Sequence, residues 1–386
     1  MARGDDTLPY DREYIRSGGA TSRSRRRQAS SPQPPRPRRA RTARRRGSFR
    51  RTLGTVLFLV LVAVIVGGVL LGMRAAAFNA TVTDTPFVSA SLLGPLNGSD
   101  RVNVMMVGYG GGDHDGAYLA DSIQLLSIDP ATDTTTTIPI PRDLWIEGVP
   151  AFSQNGKINE VFSMGHAQNG DIDEGAAALA GVVSTVTGME VDHWISIDFQ
   201  GFQEMVDAVG GVTVDNPTPF CWTTIEEFHL QGRWEMGCFE QGPISLDGEQ
   251  ALTYARARYT SDVSESTDFA RSVRQARIIA ALRAEVGAGG IGSVMPGLQL
   301  MDAMEGRVRT DMSVIDLFLL SSHLSSDRRV ELTEGPVLTA TTNTIGQYIL
   351  IPTGWTGPGD YGTIHGHLES ELAQPVSPPA SASDAP

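Results

Sequence analysis

An uncharged apolar segment at residues 53–73, LGTVLFLVLVAVIVGGVLLGM, constrains this 386-residue chain more than any other feature. As an α-helix rising about 1.5 Å per residue, it would be about 31 Å long, which matches one hydrocarbon core. A buried helix of a soluble protein would normally carry a polar stripe, and this segment has none. A cleaved signal peptide is the alternative, but the apolar run is long for one. The segment predicts one transmembrane helix.

The net charge reverses across this segment. Sixteen Arg and four acidic residues precede position 52, which gives +12, whereas the remainder has 15 basic and 40 acidic residues, which gives −25. Five Arg lie between positions 44 and 51, and only Arg74 lies just after the segment. The positive-inside rule therefore predicts a cytoplasmic N-terminus, a single pass through the cell membrane and an extracytoplasmic acidic part. This organisation argues against a soluble cytosolic enzyme.

Composition divides the chain into five parts. Residues 1–52 form an Arg-rich arm with few apolar residues, which predicts a disordered cytoplasmic segment able to contact anionic lipid headgroups. Nucleic-acid binding is disfavoured, because the arm has little aromatic interleaving. The transmembrane helix, 53–73, is followed by a spacer, 74–100, and a compact domain, 101–371. Residues 372–386 form a disordered Pro/Ala/Ser tail.

Strand and helix patterns alternate within residues 101–371. Apolar or β-branched runs predict strands at 102–108, 122–129, 134–140, 193–199 and 212–215. Apolar residues at helical spacing predict helices at 173–188, 199–211, 247–258, 267–287 and 311–324. The alternation predicts an α/β fold: a single layered α/β/α domain with a central mixed β-sheet.

Two Cys in the whole chain exclude a disulfide-rich scaffold and a four-Cys zinc site. Outside the membrane, Cys221 and Cys238 could be oxidised, and such a bridge would contribute about 3 kcal/mol. The residues between them have mixed charge and three aromatic side chains, as in a surface excursion held by a disulfide. Two unpaired thiols are the alternative. His166, His193 and His229 lack the spacing of metal ligands and are interpreted as structural or exposed.

Basic residues of the acidic domain gather near the ends of predicted elements. With one glutamine they form the set Arg142, Lys157, Arg256, Arg258, Arg271, Arg274 and Gln275. The last three are spaced i, i+3 and i+4, so they share one face of a helix. Guanidinium groups bind phosphate through two parallel hydrogen bonds. The set therefore predicts an anion site if its members converge in space; solvated surface charge is the alternative.

A glycine-rich loop at residues 108–122, GYGGGDHDGAYLADS, carries Asp113, His114, Asp115 and Asp121. Glycine lets the backbone approach a ligand closely. Carboxylates suit Mg²⁺, which binds one or two of them together with substrate phosphate oxygens. The chain has no Walker loop, no H-E-x-x-H and no G-x-S-x-G motif. An ordinary flexible turn is the alternative.

Seven motifs in order resemble the LytR-CpsA-Psr (LCP) phosphotransferases of bacterial envelopes. They are DSI at 121–123, PRD at 141–143, KIN at 157–159, DFQGF to GGV at 198–212, LDG at 246–248, RAR at 256–258 and DFARSVRQ at 268–275. Their order and approximate spacing are similar to those of the family across about residues 102–285.

The resemblance implies a cell-wall transferase. It would take a glycopolymer, such as teichoic acid or arabinogalactan, from a polyprenyl-pyrophosphate carrier and attach it to peptidoglycan through a phosphodiester, with Mg²⁺ as cofactor. Asp121 would bind Mg²⁺ or help to activate the acceptor hydroxyl, and Arg142 would act beside it. The pyrophosphate would be held by Arg142, Lys157, Arg256, Arg258, Arg271 and Gln275. Arg274 would either join this set or have a structural role. The lipid tail would occupy an apolar groove between sheet and helices.

Two other functions fit the same motifs: a non-catalytic polyprenyl-phosphate or polymer-binding protein, and a pyrophosphatase that releases the polymer. Three positions depart from the family's common pattern. Leu119 and Trp145 stand where members carry Arg, and Gly110 stands where many carry Asp. Asp113 or Asp115 could replace that carboxylate as a metal ligand, and one cation fewer is expected around the phosphates.

Overall fold

The computed structural model describes residues 46–86, 101–112, 116–132, 134–150, 152–288, 294–323 and 326–374. Most of the predicted arm, much of the spacer and most of the tail lie outside these ranges. So do Asp113, His114 and Asp115 of the glycine-rich loop. The chain divides into two units, residues 1–62 and 63–386, and the predicted domain lies in the second.

The secondary structure alternates along the chain as the sequence pattern predicts. The helices are α1 Arg46–Val82, α2 Ile158–Asn169, α3 Ile172–Thr187, α4 Phe199–Ala208, α5 Glu226–Leu230, α6 Gly248–Arg256, α7 Asp268–Ala288, α8 Val294–Met304, α9 Val314–His323 and α10 Gly362–Ala373. The strands are β1 Val102–Tyr109, β2 Ala120–Asp129, β3 Thr134–Pro139, β4 Trp145–Ile146, β5 Gly156–Lys157, β6 His193–Asp198, β7 Val212–Asn216, β8 Phe220–Thr223, β9 Gly237–Phe239, β10 Gly242–Leu246, β11 Tyr259–Thr260, β12 Val308–Thr310, β13 Ser326–Arg329, β14 Leu338–Thr342 and β15 Tyr348–Pro352.

A six-stranded sheet with the order β12-β6-β1-β2-β3-β13 forms the centre of the domain. The β1–β2, β2–β3 and β6–β12 pairs are antiparallel, whereas β1–β6 and β3–β13 are parallel. This arrangement confirms the predicted central mixed sheet.

Apolar side chains cover both faces of this sheet, because successive residues of a strand point to opposite sides. Met105 and Leu125 belong to a buried cluster with residues of α2 and α3. Val104 and Leu126 belong to a second cluster, which includes Leu320 of α9. Helices therefore pack on both faces, and the predicted α/β/α layering is confirmed.

A second core lies beside the sheet, where β7, β10, α4, α6 and α7 pack together. Tyr254 of α6 is fully buried there, and Phe220 and Phe239 pack against its ring at centroid distances of 5.8 and 5.1 Å. Cys221 and Cys238 form a disulfide, which closes the excursion, defined as residues 221–238. Strand β8 pairs with β9 within the excursion and with β11 outside it.

Helix α2 was absent from the sequence prediction, although it packs extensively against α3. Its sequence, INEVFSMGHAQN, offers a short buried face and contains a glycine, which lowers helix propensity. The contact between the two helices requires that glycine. A Cβ at Gly165 would lie 2.8 Å from the carbonyl oxygen of Glu174 on α3, closer than packed atoms allow. The hairpin β14–β15 and helix α10 were also not predicted.

Helix α1 extends beyond the predicted transmembrane segment and ends inside the domain. Within the described residues it is the helix that is long and apolar enough to cross a membrane. Phe78 and Val82, which fall in the predicted spacer, are buried against Val308 of β12. Arg74 forms ion pairs with Asp302 and with Glu305, the latter at 3.2 Å. The exposed apolar stretch of α1 therefore ends near Arg74, and residues 74–82 belong to the folded domain.

Replacing Phe78 with alanine should lower the free energy of unfolding by about 3 kcal/mol, because a cavity remains where the ring packed against β12. Thermal unfolding of the detergent-solubilised full chain would measure this loss. Ala76→Ser, two residues earlier at an exposed position of the same helix, is the matched control and should leave the stability unchanged. Equal stability of the two variants would contradict the docking of α1.

Candidate active site

Three strand ends meet at one edge of the central sheet. In the antiparallel pair of β2 and β3, Gln124 lies opposite Pro139, so the start of β2 is next to the chain that leaves β3. Strand β13 runs parallel to β3 and ends at the same edge. This topology brings Asp121, Arg142 and Arg329 together, although up to 208 positions separate them in the sequence.

Carboxylates hold the basic side chains in place at this edge. Arg142 forms an ion pair with Asp121 and lies 3.6 Å from the carboxylate of Asp143. The Nζ of Lys157 lies 2.5 Å from the other oxygen of Asp143. Burial alone would raise the pKa of Asp143, but the hydrogen bond from Lys157 and the charge of Arg142 outweigh it and lower the pKa. Asp143 thus remains a carboxylate in a buried position.

Helix α7 crosses this edge and contributes two polar side chains. Arg271 is buried, with 6% of its surface exposed, and it pairs with Asp268 and donates to the carbonyl oxygen of Asp121 at 3.4 Å. Ser122 donates a hydrogen bond of 3.0 Å to the side-chain oxygen of Gln275. Burial lowers the pKa of Arg271 to about 10, so its guanidinium is still a cation at neutral pH.

Arg329, at the end of β13, is a member of the site that sequence reasoning missed. Its guanidinium donates to Ser272 of α7 at 2.5 Å and to Glu331 at 2.9 Å. The Arg328-Arg329 pair in an otherwise acidic segment was the available signal. It lies outside the seven motifs, and only the unpredicted strand β13 brings it to the site.

These side chains line a pocket of about 400 Å³. Its polar lining residues are Asp121, Ser122, Arg142, Arg258, Asp268, Arg271, Gln275, Arg329, Glu331 and Glu334. Its apolar lining residues include Ile123, Ile140, Phe269, Leu332 and Leu350. The pocket therefore offers both cationic groups and apolar side chains to a ligand.

Three guanidinium groups of the pocket have a buried nitrogen without a hydrogen-bond acceptor among the residues that the structure describes. The atoms are Nε of Arg142, Nε of Arg271 and Nη1 of Arg329. A buried donor that lacks an acceptor costs about 1–3 kcal/mol. An anion bound among these groups would relieve the excess of donors over acceptors.

Asp121, Arg142, Arg258, Arg271 and Gln275 are the predicted site residues that the structure brings together. Arg258 is exposed at the pocket and, within the described part of the chain, forms no ion pair.

The other predicted site residues lie elsewhere. Arg256 is outside the pocket lining, and its guanidinium stacks over the ring of Phe199 at 4.2 Å. Lys157 reaches the site through Asp143 and does not line the pocket. The tentative metal ligands Asp113 and Asp115 lie outside the described residues.

Arg274, for which the sequence left either a place in the site or a structural role open, does not line the pocket. Its guanidinium is fully buried in the second core beside the ring of Phe220, where it binds the backbone carbonyl of Ala257 and, at 2.5 Å, the carboxylate of Glu265. Side chains spaced three and four residues apart on a helix still point in somewhat different directions. The side chain of Arg274 points toward the second core. It is a structural residue, which was the stated alternative.

No group of three or more metal-ligating side chains occurs among the described residues. Asp121 offers one carboxylate, of which one oxygen faces Arg142. Its side chain is one-quarter exposed to the pocket. This donor set fits Mg²⁺, which commonly binds one or two carboxylates and completes its shell with water and substrate phosphates.

Comparison with known proteins agrees with this geometry. The sequence profile of the LytR-CpsA-Psr family matches residues 74–353, nearly three-quarters of the chain. The chain belongs to the LytR-CpsA-Psr family. The matched range begins at Arg74, so it includes the end of α1 that packs on the domain.

Two relatives of this LytR-CpsA-Psr protein carry the name polyisoprenyl-teichoic acid–peptidoglycan teichoic acid transferase TagU. The chain is 28% identical to the protein of Enterococcus faecalis over 225 residues, which are 58% of this chain and 65% of that one. It is 30% identical to the protein of Oceanobacillus iheyensis over 255 residues, which are 65% of this chain and 72% of that one. The chain thus spans slightly less than two-thirds of the first relative.

The fold also matches a solved structure. The crystal structure of B. subtilis TagU superposes with a TM-score of 0.50 at 22% identity, covering 72% of this chain and 100% of that one. At this identity the similarity concerns the fold. It supports the layered α/β architecture predicted from the sequence.

Replacing Asp143 with asparagine should lower the free energy of unfolding by about 3 kcal/mol at pH 7, because Lys157 and Arg142 lose a buried carboxylate. The folded-state pKa of Asp143 lies below its usual 3.8. Its contribution is therefore present above about pH 4 and is lost as the pH falls through the folded-state pKa. Denaturant unfolding of the full chain should show the two proteins converging below pH 4.

Asp129→Asn is the control for this measurement, because Asp129 pairs with the partly exposed Arg101 at 3.1 Å. Loss of this ion pair should lower the free energy of unfolding by less than about 1 kcal/mol. A difference between wild type and Asp143→Asn that stays constant from pH 7 to pH 3 would contradict the assignment.

Proposed function

We propose that this protein is a membrane-anchored phosphotransferase, which transfers a glycopolymer from a polyprenyl-pyrophosphate carrier to peptidoglycan through a phosphodiester. The observation that carries the proposal is the convergence of Arg142, Arg258, Arg271 and Arg329 around Asp121 in one pocket. Phosphoryl transfer needs positioning and charge stabilisation more than covalent help from the protein. The names of the TagU relatives support the same reaction.

The reaction balances with the groups in this pocket. A hydroxyl of peptidoglycan attacks the phosphorus on the polymer side, and the bond from that phosphorus to the bridging oxygen breaks. Polyprenyl phosphate leaves with the electron pair of that bond. Guanidinium groups stabilise the charge that develops on the phosphate oxygens, and the carboxylate of Asp121 accepts the hydroxyl proton.

The lining of the pocket contains groups suited to both parts of such a carrier. The arginines suit the pyrophosphate, and the apolar residues Ile140, Phe269 and Leu350 suit the first isoprene units of the lipid. The presence of both kinds of side chain supports a lipid-linked substrate.

In the alternative role expected for Asp121, its carboxylate would hold Mg²⁺ together with phosphate oxygens of the substrate instead of accepting the proton. When bound, it supplies positive charge that neutralises the phosphates during transfer. Asp121 would then orient the pyrophosphate against Arg142, which is its ion-pair partner in the structure.

We further propose that the N-terminus is cytoplasmic and that the domain lies outside the membrane. The Arg residues before the apolar segment support this topology through the positive-inside rule. The disulfide between Cys221 and Cys238 supports it independently, because disulfides persist in oxidising compartments.

Asp121→Ala and Arg142→Ala should each reduce polymer transfer by at least about 100-fold, because each removes a group that acts on the reacting phosphates. The assay would use the full chain in liposomes with polyprenyl-linked glycans, peptidoglycan and Mg²⁺. Linked product separates transfer from the alternatives: free polymer phosphate would indicate a pyrophosphatase, and binding without turnover a carrier protein. Full transfer by both folded variants would refute the proposed function.

Arg329→Ala should weaken transfer by about 10- to 100-fold, since it removes a partly buried cation of the pocket that lies outside the sequence motifs. Arg328→Ala is the matched control. The Arg328 side chain points away from the pocket to the carbonyl oxygen of Gln374 at 2.8 Å and to Glu371. Equal activity of the two variants in the liposome assay would remove Arg329 from the site.

A further inference from the structure

A row of aromatic rings leads from the pocket onto the excursion. Tyr259 of β11 lines the pocket. The ring of His229 lies 5.8 Å from that of Tyr259, and the ring of Trp234 lies 5.3 Å from that of His229. The row therefore begins where the reacting phosphates would bind and continues outward over the surface of the domain.

The excursion carries two of these rings, His229 and Trp234, and it is tied to β11, which carries the third. The disulfide of Cys221 and Cys238 closes its base, and β8 pairs with β11 so that Thr223 lies opposite Tyr259. Trp234 is half-buried, and Leu230 beside the row has 76% of its surface exposed. A rigid aromatic surface in contact with solvent has the form of a binding site, since ordering its side chains costs little on binding.

The net charge of the excursion favours some classes of ligand over others. Residues 221–238 contain Glu226, Glu227 and Glu235 but only Arg233 as a basic residue, which gives a net charge of −2. Anionic lipid surfaces attract basic segments and repel acidic ones. A polyanionic polymer would be repelled in the same way. A neutral ligand with apolar faces is the class that this surface accepts.

We propose that Tyr259, His229 and Trp234 form a subsite for neutral saccharide units adjoining the transferred linkage. The apolar C–H face of a pyranose can pack on an aromatic ring. This inference rests on the proposed function, which supplies a glycan on each side of the reacting phosphate. The subsite would extend substrate binding beyond the pyrophosphate to the glycan chain.

Calorimetric titration of the detergent-solubilised full chain with chitotetraose, a neutral oligosaccharide, tests the subsite without turnover. Trp234→Leu, which keeps an apolar side chain but removes the ring, should weaken binding about tenfold. Trp234→Phe should restore most of the affinity. Leu230→Ser, on the same surface but outside the row, should bind like wild type. A glycerol phosphate oligomer and vesicles of anionic lipid should bind more weakly than chitotetraose.

Unchanged chitotetraose binding by folded Trp234→Leu would overturn the subsite, and so would tighter binding of the glycerol phosphate oligomer. Vesicle binding that Leu230→Ser abolishes would assign the surface to the membrane instead. In the transfer assay, Trp234→Leu should raise the KM for one glycan and leave kcat unchanged. A raised KM for peptidoglycan places the acceptor on the row, and a raised KM for the lipid-linked polymer places the donor there. Inactive wild-type protein that still shows ring-dependent binding would refute only the proposed function.

Discussion

The site depends on keeping several guanidinium groups close together in the absence of a ligand. Carboxylates make this possible: Asp121 and Asp143 flank Arg142, and Asp268 holds Arg271. Each carboxylate offsets part of the repulsion between cations that would otherwise push the side chains apart. The pairing is incomplete, since a buried nitrogen of both arginines lacks an acceptor within the described residues. The positions of these cations are thus fixed by the protein's own carboxylates.

The sheet makes this electrostatic arrangement possible. Antiparallel pairing of β2 with β3, and parallel pairing of β3 with β13, bring distant parts of the chain to one edge. Helix α7 then lies across that edge with Arg271 directed inward. The second core also anchors α7 through Arg274, whose buried hydrogen bonds connect it to α6 and to the residue that follows α6. One helix therefore serves the pocket with one face and the core with another.

The elements that could be predicted from the sequence are those encoded by short periodic patterns and by motifs in a fixed order. The strands β1, β2 and β6 have continuous apolar or alternating patterns, so they were predicted within a few residues. Helix α2 was missed because a glycine required for helix packing weakens its pattern. The sequence could not assign Arg271 to the pocket and Arg274 to the second core, because helical spacing does not show which neighbours a side chain contacts. Arg329 was missed because strand pairing over a long sequence distance, and no local pattern, brings it to the pocket.

Helix α1 continues without interruption from its apolar stretch to Val82, and its last turns are buried against the domain. A flexible linker at this point would let the domain reorient relative to the apolar stretch. Because Phe78 is buried in the domain and Arg74 is paired with Glu305, residues 74–82 cannot act as such a hinge. Any force or displacement on the apolar stretch is therefore transmitted directly to β12, against which Phe78 packs.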